Sequence, residues 1–126
     1  MAKAVNIERC FEKFSDTYSP KIIGELNGQH VKLARVEGDK CPWHTHENED
    51  ELFYVLDGVL DVQMRDETVR VAPGEFYIVA LGKEHRVVPH GHVKLMLFEP
   101  AGIAHTGTVQ AEITKDQYEW LDLSEE

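Results

Sequence analysis

Cysteine is scarce in this chain, and the two present, Cys10 and Cys41, are too few and too far apart for a disulfide framework or a cysteine-type zinc site. A reduced, cytoplasmic setting is the expectation. Long apolar runs are also missing. Nowhere do about 18 apolar residues follow one another, as a membrane span requires, and the first ten residues lack the apolar stretch of a signal peptide. The chain therefore reads as soluble and unprocessed, with no membrane partner. Basic residues are outnumbered, 13 against 23 acidic, for a net charge of −10. That balance argues against a nucleic-acid partner, because phosphate backbones select Lys/Arg-rich surfaces. There is no glycine-rich phosphate loop, no nucleophile elbow around a serine, no Cys-x-x-Cys, and no internal repeat, linker or low-complexity segment.

What the chain does have is turn residues at short intervals. Near the start, Ile7, Cys10, Phe11 and Phe14 recur at helical spacing behind Asn6, which predicts a short capped helix with Cys10 on its apolar face. Strands follow over Lys21 to Leu26 and His30 to Val36, joined by Asn27-Gly28, a strong two-residue hairpin signal. Further turns fall at Gly38-Asp39, Asn48 to Asp50, Asp57-Gly58, Asp66-Glu67, Pro73-Gly74, Gly82-Lys83, Pro89 to Gly91 and Pro100 to Gly102. Short strands so punctuated, without helical patterns between them, indicate an antiparallel sandwich or barrel. Leu60, Val62 and Met64 alternate with mostly polar neighbours. Phe76 to Leu81 is apolar on both faces and reads as a central strand, or one covered at a subunit interface. Thr114 with Gln117, flanked by Ile113 and Tyr118, predicts a short closing helix through Leu121, with Asp122 to Glu126 frayed.

Chemistry concentrates between Gly38 and Gly58. In an extended segment, residues two apart share a face, so His44 and His46 can address one atom. Glu51 opens an apolar run, an odd position for a carboxylate unless a cation meets it there. Downstream, a glycine turn at Gly82 delivers His85 to the head of another apolar strand. His44, His46, Glu51 and His85 are thus candidate metal ligands, with Glu49 and Asp50 as rival carboxylates. Parity puts Glu51 with Phe53 and Val55, and Asp50 with Leu52 and Tyr54, so one of the two sets lines an interior. Cys41 has parity opposite to His44 and in a regular strand points to the other face. His90-Gly91-His92 reads as a solvated loop tip and His30 as a surface residue, while His105 stands in a non-strand segment.

The spacing Gly38, five residues, His44-Thr45-His46, four residues, Glu51, six residues, Gly58 is similar, without a mismatch, to the first motif of the cupins. The second motif is met by Gly74, Gly82 and His85, with Ala80 where that motif has proline and Pro89 where it has asparagine. The stretches Ser19-Pro20-Lys21 to Asn27-Gly28, Trp43 to Phe53, Phe98 to Gly102 and Thr106-Gly107 also resemble small single-domain cupins labelled mannose-6-phosphate isomerase-like. The resemblance covers nearly the whole chain.

It implies an all-β jelly-roll barrel, the cupin double-stranded β-helix, with short N-terminal and C-terminal helices. Residues 1–126 form a single domain whose core barrel spans about 20–105. It further implies one divalent metal ion, Fe, Mn, Ni or Zn, held by His44, His46, Glu51 and His85. An octahedral ion so held keeps two adjacent positions open for a small-molecule ligand. An enzyme of isomerase-like or dioxygenase-like type acting on a small oxygenated metabolite is the first expectation. A non-catalytic binding or sensing cupin, with the metal as anchor, is the second, and a purely structural metal the third. For an isomerase, no second carboxylate, lysine or tyrosine is forced into the pocket by parity or motif. Lys32, Arg35, Arg86 and Lys94 are the cations on barrel strands that a sugar phosphate would need. A homodimer is implied, through the strand around Ile22-Ile23 or through Phe76 to Leu81.

Overall fold

In the computed structural model, which describes residues 3–101 and 118–123, Asn27 and Gly28 turn the chain between β1 (Lys21–Leu26) and β2 (Gln29–Val36). Both take positive φ, 52° and 78°, the backbone that a tight hairpin needs to match the twist of its strands. The spacing thus gives the correct turn and strand limits to within a residue.

Two long strands carry the architecture: β3 (Glu51–Met64) and β6 (His85–Pro100), antiparallel along most of their length. Their register shifts where Asp57 faces Lys94 and Val59 faces His90. Two steps along β3 there match four along β6, so β6 bulges and both strands bend. Gly58 makes this possible, with φ of 85° and no room for a side chain, since a Cβ would lie 2.5 Å from the His92 carbonyl oxygen.

The bend lets each long strand serve two sheet faces. The first half of β3 pairs with β5 (Phe76–Val79) and, through the second half of β6, continues to β2 and β1. The second half of β3 pairs with β4 (Thr68–Val71) and with the first half of β6. Between the faces lies one core: Ala34, Val36, Phe53, Val55, Leu95 and Leu97 from one, Leu60, Val62, Met64, Val71 and Val87 from the other. The expected alternation of Leu60, Val62 and Met64 is present. A second cluster outside the barrel seats α1 (Ile7–Phe11), capped by Asn6, against Ile23 and Leu33. Among the described residues no helix is long and apolar enough to cross a membrane.

Five expectations need correction. β5 is an edge strand, not a central one. It pairs only with β3, Val79 is buried, and Phe76 and Ile78 stay 60% and 47% exposed because nothing in the described chain covers that face. His90-Gly91-His92 is no loop tip but the bulge within β6. Ile22 and Ile23 are buried within the chain and so leave no apolar surface for a partner. Of the closing helix, 114–117 lies outside the described residues, and its end is extended: β7 (Glu119–Trp120) pairs in parallel with Lys21 and Ile22. The open edge of β1 offers backbone groups that a strand satisfies and a helix does not. Nor are Asp122 and Leu123 frayed, since Lys13 donates to the Asp122 carbonyl at 2.6 Å and Leu123 packs on the outer cluster, while 124–126 lie outside the described residues.

Candidate metal centre

Residues 37–50 form no regular strand, yet His44 is pinned. Its N–H donates to the His85 carbonyl and the His85 N–H donates back, both at 2.9 Å. Two residues on, the His46 carbonyl accepts from the Gly82 N–H at 2.8 Å. The glycine turn that delivers His85 therefore also clamps the histidine segment. Glu51 enters from the first residue of β3, on the face of Phe53 and Val55, and all three are buried. Asp50 points away, accepting from the Leu81 N–H at 2.9 Å.

These elements bring His44, His46, Glu51 and His85 together, fully buried, with one potential ligand atom from each within 4.8 Å of all the others. Glu51 Oε1 lies 3.2 Å from His46 Nε2 and 3.4 Å from His85 Nε2. The contacts are not aligned as hydrogen bonds. Nε2 of all three histidines and Oε1 of Glu51 are buried without a hydrogen-bond partner, a costly arrangement for an empty core.

The opposite ring nitrogens explain the pose. His44 Nδ1 donates to the Pro42 carbonyl at 2.8 Å and His85 Nδ1 to the Lys83 carbonyl at 3.0 Å. A carbonyl oxygen only accepts, so each Nδ1 carries a proton and each ring turns its Nε2 inward, the atom that offers a lone pair to an ion. His46 Nδ1 is held at 2.7 Å by Glu49 Oε2, whose side chain is itself nearly buried. Glu49, a rival ligand by sequence, thus orients a candidate ligand instead. Its part was not visible in an acidic run that also contains exposed Glu47.

Electrostatics fit the same picture. Burial, aided by the neighbouring His85, pushes the His44 pKa down to about 4, so this ring is neutral at pH 7. Burial also acts to lower His46, but Glu51, Glu99 and Glu49 outweigh it and carry that ring up to about 9. For Glu51, burial acts upward, and His46 and His85 win, holding the carboxyl far below its usual range. Three imidazole nitrogens and a carboxylate, all unpartnered and convergent, suit a divalent cation.

A small cavity of about 50 Å³ reaches His44 and Glu51, walled by Val36, Phe53, Val87, Leu95 and Leu97. Cys41 also lines it, with Sγ 3.9 Å from His44 Nδ1, contrary to the parity expectation. The strand alternation does not apply here, because Pro42 interrupts a segment that is not sheet. Burial pushes this thiol up to about 11, leaving it protonated at neutral pH.

Of the four barrel cations, only Lys32 turns inward. Arg35 binds the Phe11 and Phe14 carbonyls on the outside, Arg86 donates to Gln63 and faces the Trp43 ring, and Lys94 faces Phe11. Lys32 is fully buried and pairs at 2.9 Å with Glu99, also buried. The expectation that parity forces no second carboxylate or lysine inward is therefore corrected. Its signal lay in parity: Lys32 shares a face with Ala34 and Val36, and Glu99 with Leu95 and Leu97. Burial, together with the Glu51 charge, pushes Glu99 up to about 8 despite Lys32. The remaining histidines pair elsewhere: His90 with Asp61 at 2.7 Å, His92 with Arg35 and Glu37, and half-buried His30 with Glu25. His105 lies outside the described residues.

Comparison with known proteins places these features in a context. The sequence pattern of the cupin domain family, Cupin_2, matches residues 33–100. The Bacillus subtilis (strain 168) protein YdbB is 31% identical over 87 residues, covering 68% of this chain and 76% of that protein. Tetracenomycin polyketide synthase protein TcmJ of Streptomyces glaucescens is 31% identical over 77 residues, 60% of this chain and half of TcmJ. Among solved structures, a cupin-2 domain protein from Shewanella frigidimarina is 35% identical, with a TM-score of 0.74 over 76% of this chain and 93% of that one.

Proposed function

The chain belongs to the cupin family, and we propose that it is a metal-dependent member that holds one divalent ion through His44, His46, Glu51 and His85 and acts on a small oxygenated metabolite. One observation carries this reading: the three Nε2 atoms and Glu51 Oε1 are buried, convergent and unpartnered, while every Nδ1 is fixed by an acceptor. Bound there, Fe(II) would supply dioxygen chemistry, and Zn(II), Mn(II) or Ni(II) Lewis-acid polarisation.

The chain's own contributions are orientation, charge and exclusion of water. The carbonyls of Pro42 and Lys83 and the carboxylate of Glu49 hold the rings, which removes reorganisation from the binding step. Glu51 supplies the one formal negative charge of the set, and the apolar wall keeps the neighbouring space dry. The identity of the ion decides between isomerase-like and dioxygenase-like chemistry. A non-catalytic binding cupin is the second reading, favoured by a cavity of only about 50 Å³. For the homodimer we propose the exposed face of β5 as the contact.

Metal analysis of the purified, ion-reconstituted protein tests the centre. About one divalent ion per chain is expected for wild type and for Asp50→Asn, and its loss for His85→Ala and Glu51→Ala. Wild type that retains no ion, or Glu51→Ala that retains a full one, overturns the assignment. Turnover of sugar phosphates or oxygen consumption with diols and diketones separates enzyme from binder. Ligand-induced thermal stabilisation without turnover favours the binder.

A further inference from the structure

We infer that Lys32 and Glu99 form the ligand-selecting half of this centre, with Glu99 Oε2 accepting a hydrogen bond from a hydroxyl of the molecule that chelates the ion. The inference rests on the metal-binding reading above and adds a substrate class to it: small hydroxylated chelators such as α-hydroxy acids and hydroxyketones.

Position is the first support. The β3–β6 register that pairs Leu52 with Phe98 brings Glu51 opposite Glu99 one residue further on. Directly opposed residues on one sheet face have Cβ atoms roughly 5 Å apart, and both side chains face the interior. The charge of Glu51 accordingly acts on Glu99, and that of Glu99 on His46. A group bound to an ion at Glu51 therefore lies within reach of Glu99.

Unmet hydrogen bonding is the second support. Among the described residues, buried side-chain polar atoms without a partner are the four inward atoms of the metal cluster, His30 Nδ1 and Glu99 Oε2. The other carboxylate oxygen, Oε1, is engaged by Lys32 Nζ at 2.9 Å, and that ammonium sits 3.5 Å from the centre of the Tyr118 ring. Glu99 is thus held from one side and free on the other. A buried ion pair is weak evidence of a stabilising role, because replacing one by apolar side chains of similar volume is often neutral or stabilising. A polar pair in a largely apolar barrel, with one oxygen unpartnered beside four convergent ligand atoms, points to a ligand.

Charge narrows what that ligand is. A second anionic group would meet Glu51 and Glu99, and a cationic one would meet Lys32 and the ion. A neutral hydroxyl donor satisfies Oε2 without either conflict.

Cobalt(II) provides the test, because its visible spectrum responds to a change of ligands, and glycolate and methoxyacetate provide the probes. Both can chelate through a carboxylate and the adjacent oxygen, but only glycolate can donate a hydrogen bond. At pH 9, above the raised pKa of Glu99, where Oε2 can only accept, cobalt-loaded wild type is expected to bind glycolate about tenfold or more tightly than methoxyacetate. In Glu99→Gln, which puts an NH₂ donor where the free acceptor stands, the ratio falls towards one at unchanged cobalt content. Should that variant misfold, Lys32→Met/Glu99→Leu removes the pair while filling its volume, and the same fall is expected. An equal preference in wild type and variants with cobalt bound overturns this inference alone, as does no preference or no spectral response in wild type. Wild type that binds no cobalt overturns the metal centre and this inference with it.

Discussion

His46 differs from the other two imidazoles in what fixes it: a side chain, Glu49, where His44 and His85 rely on backbone carbonyls. Glu49→Ala is therefore expected to weaken metal binding about 10- to 100-fold, while Glu47→Ala, on the exposed part of the same run, leaves it unchanged. Competition titrations with a chelating dye measure both. His46 also sets the pH behaviour. Its pKa in the metal-free fold, about 9, lies above the ordinary value of 6.5. The stability it contributes is fully present below pH 6.5 and is lost as pH rises through 9. At pH 7.5 the ring carries a proton that an incoming ion must displace, and His44, lowered to about 4, does not. Calorimetry in buffers of different ionisation enthalpy should then report about one proton released per ion at pH 7.5 and almost none at pH 10. Release of a small fraction of a proton at pH 7.5 would contradict the pairing of His46 with Glu51. At this scale the sequence was informative where function depends on local spacing, as for His44, His46 and Glu51. It was silent on Glu49, whose role depends on a ring orientation that no spacing encodes.

Among the elements, the bend of β3 and β6 decides whether four ligands can meet. Gly58 carries it, and Gly58→Ala is expected to cost about 2 kcal/mol or more, from the positive φ and from a Cβ driven into the His92 carbonyl. Gly28→Ala, also at positive φ but with open space around it, should cost about 1 kcal/mol. Urea denaturation of the two variants checks the difference, and equal losses would remove the steric part of the claim. Hairpins and alternation were legible because their signals are local: Asn27-Gly28 demands its turn wherever it stands. β5, β7 and Cys41 depart from expectation because their placement depends on more than local alternation. An apolar hexapeptide does not say what lies across from it, an open sheet edge recruits whatever chain is near, and parity has no meaning where a proline interrupts the strand.

On the scale of the whole molecule, Lys32 and Glu99 show the limit of reading a chain in order, because their pairing spans β2 to β6 and follows from strand order alone. The exposed face of β5 is likewise a property of the assembled barrel. If a second copy covers Phe76 and Ile78, Ile78→Lys will sediment as a monomer where wild type sediments as a dimer, with the melting transition of the isolated barrel preserved. A monomeric wild type would sink that contact. The bridge between His44 and His85 has a further consequence. Together with the Gly82 amide on the His46 carbonyl, it holds a segment that is otherwise not sheet against the start of β6. An ion gripping both histidines would act as a reversible cross-link closing the loop that contains β3, β4 and β5, removing chain entropy from every partly opened state. Amide hydrogen exchange at His44, Gly82 and His85 should therefore slow when metal is added, making the centre a clasp on the barrel's own breathing.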